Sequence, residues 1–219
     1  MMNVDLSVIT RAAPFLAEGL TLSFLLTVVA MAGGIAIGLV LAVIRLSTWR
    51  VAALVATAYV NGFRAIPLVL VIFWFYFLVP LALGHPVNAL QSAIIAFVLF
   101  EAAYYSEIIR AGLASVRAGQ WQAASASGLG YLQSLRLVIL PQALRNMLPV
   151  MISQAVILFQ DTSLVYVISL RDFMTSASIV ANRDNRLVEI YLFAALVYFV
   201  ICSIGAWSAS ALNRKRNLA

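Results

Sequence analysis

Apolar residues run almost unbroken through five stretches of the chain. They cover about Leu20 to Ile44, Ile66 to Leu83, Leu90 to Ile109, Met147 to Leu170 and Val188 to Leu212. A helix needs roughly 20 mostly apolar residues to cross a hydrocarbon core, so each stretch reads as a spanning helix. Arginines punctuate them: Arg45 closes the first, Arg64 and Pro67 open the second, and Arg110 closes the third. The pattern predicts an all-α, polytopic membrane protein with about five transmembrane helices in one domain, residues 1–219.

Composition agrees. Hydrophobic residues make up 64% of the chain and charged residues 10%, against about 25% charged in an ordinary soluble domain. A net charge of +6 would suggest nucleic acid in a soluble protein. Here the cations sit at the ends of apolar runs, which suits membrane orientation and no nucleic-acid partner. With the N-terminus outside, Arg45, Arg50, Arg64, Arg110, Arg117, Arg136, Arg145, Arg214, Lys215 and Arg216 fall inside. Arg11, Arg171, Arg183 and Arg186 fall outside, a split of ten to four among the 14 cations. The positive-inside rule therefore places the C-terminus in the cytoplasm. Arg11, Pro14 and Glu18 precede the first run, which reads as an uncleaved span rather than a signal peptide. Cys202 is the one cysteine and forms no internal disulfide framework, and His85 has no partner at metal-ligand spacing. Gly34 and Gly38 form a small-xxx-small pair, suited to packing within the subunit or to a dimer contact. Trp49, Trp74 and Trp207 read as interface or packing aromatics.

The longest polar break runs from Arg110 to Arg145. It is rich in Ala, Ser, Gly and Gln, and its charges are all positive. Connections of this length usually carry function or are disordered. Leu129, Leu132 and Leu135 have helical spacing with polar residues between them, which predicts a short helix along the membrane face. Such a helix suits either a cytosolic partner or the lipid surface.

Within that break, Gln122-Ala123-Ala124, then Gly128, then Val138-Ile139-Leu140-Pro141 resembles the EAA signature of ATP-binding-cassette (ABC) importer permeases, with matching spacing. Gly19-Leu20-Thr21-Leu22, Phe63-Arg64-Ala65-Ile66-Pro67-Leu68, Glu107-Ile108-Ile109-Arg110-Ala111-Gly112 and Asp161-Thr162-Ser163-Leu164 resemble the polar amino-acid subfamily. Phe100 to Glu107 and Phe159 to Val167 are closer still to glutamate/aspartate importer permeases. The likeness covers about residues 15–212. It implies the type I importer permease fold, a bacterial cytoplasmic membrane, and a coupling loop at about 111–146. Gln122, Ala123, Ala124, Gly128, Leu132, Leu140 and Pro141 of that loop would engage a groove on the ATPase subunit. It further implies a cytosolic ATPase dimer, a second permease subunit, identical or homologous, and a periplasmic or extracellular amino-acid-binding protein. The chain departs from the signature at Gln122, where the family carries glutamate, and at Gln160, where many relatives carry lysine. Gly128 is suited to a strained turn between short helices, and Pro141 discourages helix through Leu140.

Charges at membrane depth are costly, about +2.5 to +3.5 kcal/mol for a central aspartate, and they face cavities or partners. Asp161 is such a residue, and Thr162 and Ser163 extend a polar patch that marks a substrate site or a helix break. Glu101 invites an interhelix hydrogen bond, and Glu107 and Arg110 are spaced as a local pair. Arg64 suits an anionic substrate, an inner-face anchor or a partnership with Asp161. The candidate substrate residues are therefore Arg64, Gln160, Asp161, Thr162 and Ser163, with Asp161 on an ammonium and Gln160, Ser163 and Arg64 on carboxylates.

The chain has no G-x-x-x-x-G-K-[ST] phosphate loop, and its one lysine, Lys215, is in the tail. ATP and magnesium therefore belong on a partner ATPase, and no cofactor or metal is assigned to this chain. An importer permease for polar, acidic amino acids is the expected function. An ion-gradient carrier using Asp161 and Glu101 is the alternative. No nucleophile elbow, metal pair or histidine cluster supports a membrane enzyme.

Overall fold

A computed structural model describes the backbone of residues 6–217 and the side chains through residue 214. Lys215 and Arg216, counted above among the inner cations, lie outside the described side chains. The described elements are all helical: α1 (Ser7–Leu46), α2 (Arg50–Ala65), α3 (Leu68–Leu83), α4 (Ala89–Ala114), α5 (Ala118–Ala126), α6 (Tyr131–Ile168), α7 (Phe173–Arg183) and α8 (Leu187–Asn217). Four of them are long and apolar enough to cross a membrane, and α2 with α3 pass the same test only as a pair, bent by 107° between them. The bend is local chemistry. Pro67 fixes its own φ and drives Ile66 to an extended conformation, φ −115° and ψ 149°. Arg64 thus lies in the last turn of α2, just before the bend, instead of opening a straight span.

The first span starts at Ser7, well ahead of the Leu20 at which hydropathy alone places it. Val8, Ala12 and Leu16 are buried against Phe173, Ala177 and Val180 of α7 and Ile190 and Ala194 of α8. Tertiary packing therefore extends the helix through Arg11, Pro14 and Glu18. The buried positions of α1 recur every three or four residues from Val8 to Ala42, the signature of one helix face. That face lies along α4, the most buried span. A Cβ on Gly34 would stand 2.8 Å from Glu101 Cβ, and one on Gly38 would stand 2.9 Å from the Ser106 nitrogen. The small-residue pair therefore serves packing inside the chain.

The fourth span, α6, is composite. It opens at Tyr131, passes a π-helical turn at Leu135–Ile139, continues as regular helix over Leu140–Asp161, and tightens to 3-10 helix over Thr162–Ile168. Pro141 does not stop it. The Leu140 N–H donates to the Leu135 carbonyl five residues back, so the wider turn carries the chain past the proline. The nonspanning connection is accordingly shorter than the polar break, and its helix is α5, ahead of the leucine-spaced segment. The single apolar stripe Leu129, Leu132 and Leu135 is divided: Leu129 lies in the turn, whereas Leu132 and Leu135 belong to α6.

Candidate functional site

Two regions hold the chemistry. The first is α5 and the turn that follows it. Gly128 has φ +79°, a conformation that side-chain-bearing residues resist, and it reverses the chain between α5 and α6. Ala124 is the buried residue of the signature triplet, while Gln122 and Ala123 are exposed. Leu132, Leu140 and Pro141 are exposed as well, Leu132 at 74%. The signature residues therefore present an uncharged, largely apolar outer face. Trp121 stacks on Tyr131 with ring centroids 5.4 Å apart. Gln142 Nε2 donates to Gln120 Oε1 at 3.0 Å, and Asn146 Nδ2 donates to Ser115 Oγ at 2.7 Å. At the same end of the bundle Arg45 donates to Glu107 at 2.9 Å, and Arg110 pairs with the same carboxylate. The local pair expected in the sequence is thus a three-residue cluster that joins α1 to α4.

The second region lies along α4, on which both α2 and α6 pack. The Arg64 guanidinium lies over the Tyr104 ring, 5.6 Å from its centroid. Asp161 ends the regular part of α6, half-buried, and is close enough to Tyr104 and Glu101 to act on both electrostatically. Among the described residues Asp161 has no ion-pair partner, and Arg64 turns to Tyr104 instead. Glu101 is fully buried, and Gln154 Nε2 donates to its two carboxylate oxygens at 3.0 and 3.3 Å. The interhelix bond anticipated for Glu101 is therefore present. Gln160 does not join Asp161: its amide is directed to Cys202 Sγ on α8, at 3.5 Å. Thr162 is buried, and its hydroxyl donates to the Phe159 carbonyl at 2.7 Å, which closes the α-to-3-10 transition. Ser163 is half-buried. No group of three or more His, Cys, Asp and Glu among the described residues is placed to hold a metal ion.

Sequence reasoning missed Arg45, Gln154, Tyr104 and the Gln120–Gln142 and Ser115–Asn146 bonds. Their partners are 22 to 62 residues distant, and no local spacing signals such pairs.

Comparison with known proteins gives a consistent set of likenesses. The family model for binding-protein-dependent transport system inner membrane components matches residues 34–218. The chain is 49% identical over 222 residues to the glutamate/aspartate import permease protein GltK of Escherichia coli O6:H1, covering 98% of this chain and 99% of that protein. It is 35% identical over 214 residues to the arginine transport system permease protein ArtQ of Bacillus subtilis, covering 98% of each. Among solved structures, that of an amino acid ABC transporter with histidines superposes with a TM-score of 0.90 at 29% identity, covering 98% of this chain and 100% of that one.

Proposed function

Given that the chain belongs to the family of binding-protein-dependent transport system inner membrane components, and is a multi-pass permease subunit of an ABC amino-acid importer, we propose that its cargo is glutamate or aspartate. The observation that carries this is the 49% identity to a glutamate/aspartate import permease over nearly the whole of both chains. Family membership sets aside the ion-gradient carrier and the membrane enzyme. The proposal extends to the partners: a cytosolic ATPase dimer that holds ATP and magnesium, a second permease subunit, and a binding protein outside. The N-terminus then lies outside and the C-terminus in the cytoplasm, with α5 facing the ATPase.

The geometry supports a division of labour. The uncharged outer face of α5, with Leu132, Leu140 and Pro141 exposed on the start of α6, fits a groove, with Gln122 donating or accepting a hydrogen bond where a carboxylate would form an ion pair. At the bend between α2 and α3, Arg64 offers a bidentate match to a cargo carboxylate, and Asp161 offers an acceptor to the α-ammonium. Ser163 is a further donor. Gln160 and Thr162 serve the frame, through Cys202 and Phe159. Pumping requires that this site bind cargo more tightly in one access state than in the other.

The test is reconstitution in liposomes with the ATPase and the binding protein, followed by uptake of labelled glutamate. Uptake is expected only with ATP, and full-rate uptake without nucleotide would overturn the reading. Arg64→Gln and Asp161→Asn are each expected to lower glutamate uptake roughly tenfold or more, the scale of a lost charge-assisted hydrogen bond. Unchanged uptake in both variants would remove the two residues from the site.

A further inference from the structure

The nine residues of α5 are too few to hold a helix in isolation. Burial does little to help, because Ala124 is its one fully buried side chain and contributes about a single methyl group. Trp121 is half-buried in the cluster formed by Ala42, Ile109, Val116, Ile139, Ala143 and Met147. What remains are directional contacts. Gln120 accepts from Gln142 and Trp121 stacks on Tyr131, while Ser115, the C-cap of α4 three residues ahead of α5, accepts from Asn146. All three partners lie on α6. Contact with α4 is made beneath them, where Met147 occupies the space a Cβ on Gly112 would need.

We infer that the Gln120–Gln142 hydrogen bond and the Trp121–Tyr131 stack, backed by the Ser115–Asn146 bond that ties the C-cap of α4 just ahead of α5 to α6, are a transmission clasp. They bind α5 to α6 so that a push on α5 moves α6, and with it Asp161 at the far end of the same helix. Gln142 and Asn146 are positioning residues in this scheme. Both side chains are half-buried, and both precede Asp161 on α6 by 15 residues or more. The inference rests on the ATPase partner proposed above. A clasp has a distinct signature: its loss lets the motor run without moving cargo, whereas loss of fold reduces both together.

The experiment uses the reconstituted importer with Gln142→Ala and Asn146→Ala combined. Retention of the ATPase, ATP hydrolysis and labelled glutamate uptake are read on the same vesicles. The expected result is retained ATPase with continued hydrolysis, and uptake per ATP hydrolysed lowered roughly tenfold, the factor two hydrogen bonds of ordinary net strength can carry. Unchanged uptake per ATP overturns the clasp. If the unaltered chain retains no ATPase, it is the functional reading that fails, and the two failures are distinguishable. Should the double variant not assemble, a charge swap decides. Gln142→Lys alone lowers uptake per ATP, and adding Gln120→Glu recovers it. A pair no better than the single change overturns the inference.

Discussion

Glu101 and Gln154 show how a single residue pair shapes this protein. Glu101 is buried on the α4 face against Gly34, and Gln154 reaches it from α6. A buried polar group without a partner costs about 1–3 kcal/mol, and more when it is charged. Gln154→Leu is therefore expected to lower the thermal midpoint of the detergent-solubilised protein by that scale of destabilisation. Glu101→Gln keeps an amide acceptor for Gln154 and removes a charge from the interior, so it is expected to be neutral or stabilising. Equal losses in the two variants would show that the pair is not the relevant contact. Arg45 acts similarly at the other end of α4, where it joins Arg110 on Glu107. The glutamate and one arginine are visible as neighbours in the chain, whereas Arg45, 62 residues away, is not.

At the scale of elements, short-range chemistry and long-range packing divide the work. Pro67 bends α2 against α3, and Gly128 turns α5 back toward α6, and both follow from the backbone preferences of one residue. Placing a β-branched side chain at the left-handed Gly128 costs about 1–2 kcal/mol. Gly128→Val is expected to loosen the α5–α6 turn and reduce the amount of ATPase that co-purifies. Gly119, inside α5, has nothing within 4 Å of an added Cβ. Gly119→Ala is expected to strengthen the helix by about 0.5–1 kcal/mol and leave co-purification intact or improved. Loss of the ATPase in Gly119→Ala, or its full retention in Gly128→Val, would contradict this account. The run from Tyr131 to Ile168 is the opposite case. Its π turn, proline and 3-10 end are held by neighbours, while local preference alone argues for a stop near Pro141.

Across the whole molecule, α1 is the spine, packed on α4 along one face and gripped near its beginning by α7. That grip centres on Asp172, which is buried, accepts from the Met174 and Thr175 amides, and caps α7. Next to it the Phe173 amide donates to Ser23 on α1. Burial holds the Asp172 carboxyl above the usual carboxylate range, in spite of the hydrogen bonds from Thr175 and Met174 that pull the other way. A carboxyl raised in the folded state binds its proton more tightly there than in the unfolded chain. Its contribution to stability is therefore most favourable at low pH and falls as pH rises through the folded pKa. Asp172→Asn removes that slope while keeping a side-chain oxygen for the cap. Thermal midpoints of the unaltered protein and of Asp172→Asn are compared from acid to neutral pH. As pH rises, the midpoint of the unaltered protein is expected to fall relative to that of the variant. Parallel curves would refute the assignment.

Hydropathy is enough to establish an all-helical membrane protein and the approximate position of each span, because transfer of apolar side chains out of water is a property of composition along the chain. Motif spacing carries the family likeness and the turn at Gly128. The early start of α1, the continuation through Pro141, the divergence of Gln160 from Asp161 and the Glu101–Gln154 bond are settled only in three dimensions. Each depends on which surfaces meet, and contacts between residues dozens of positions apart leave no periodic trace in the chain.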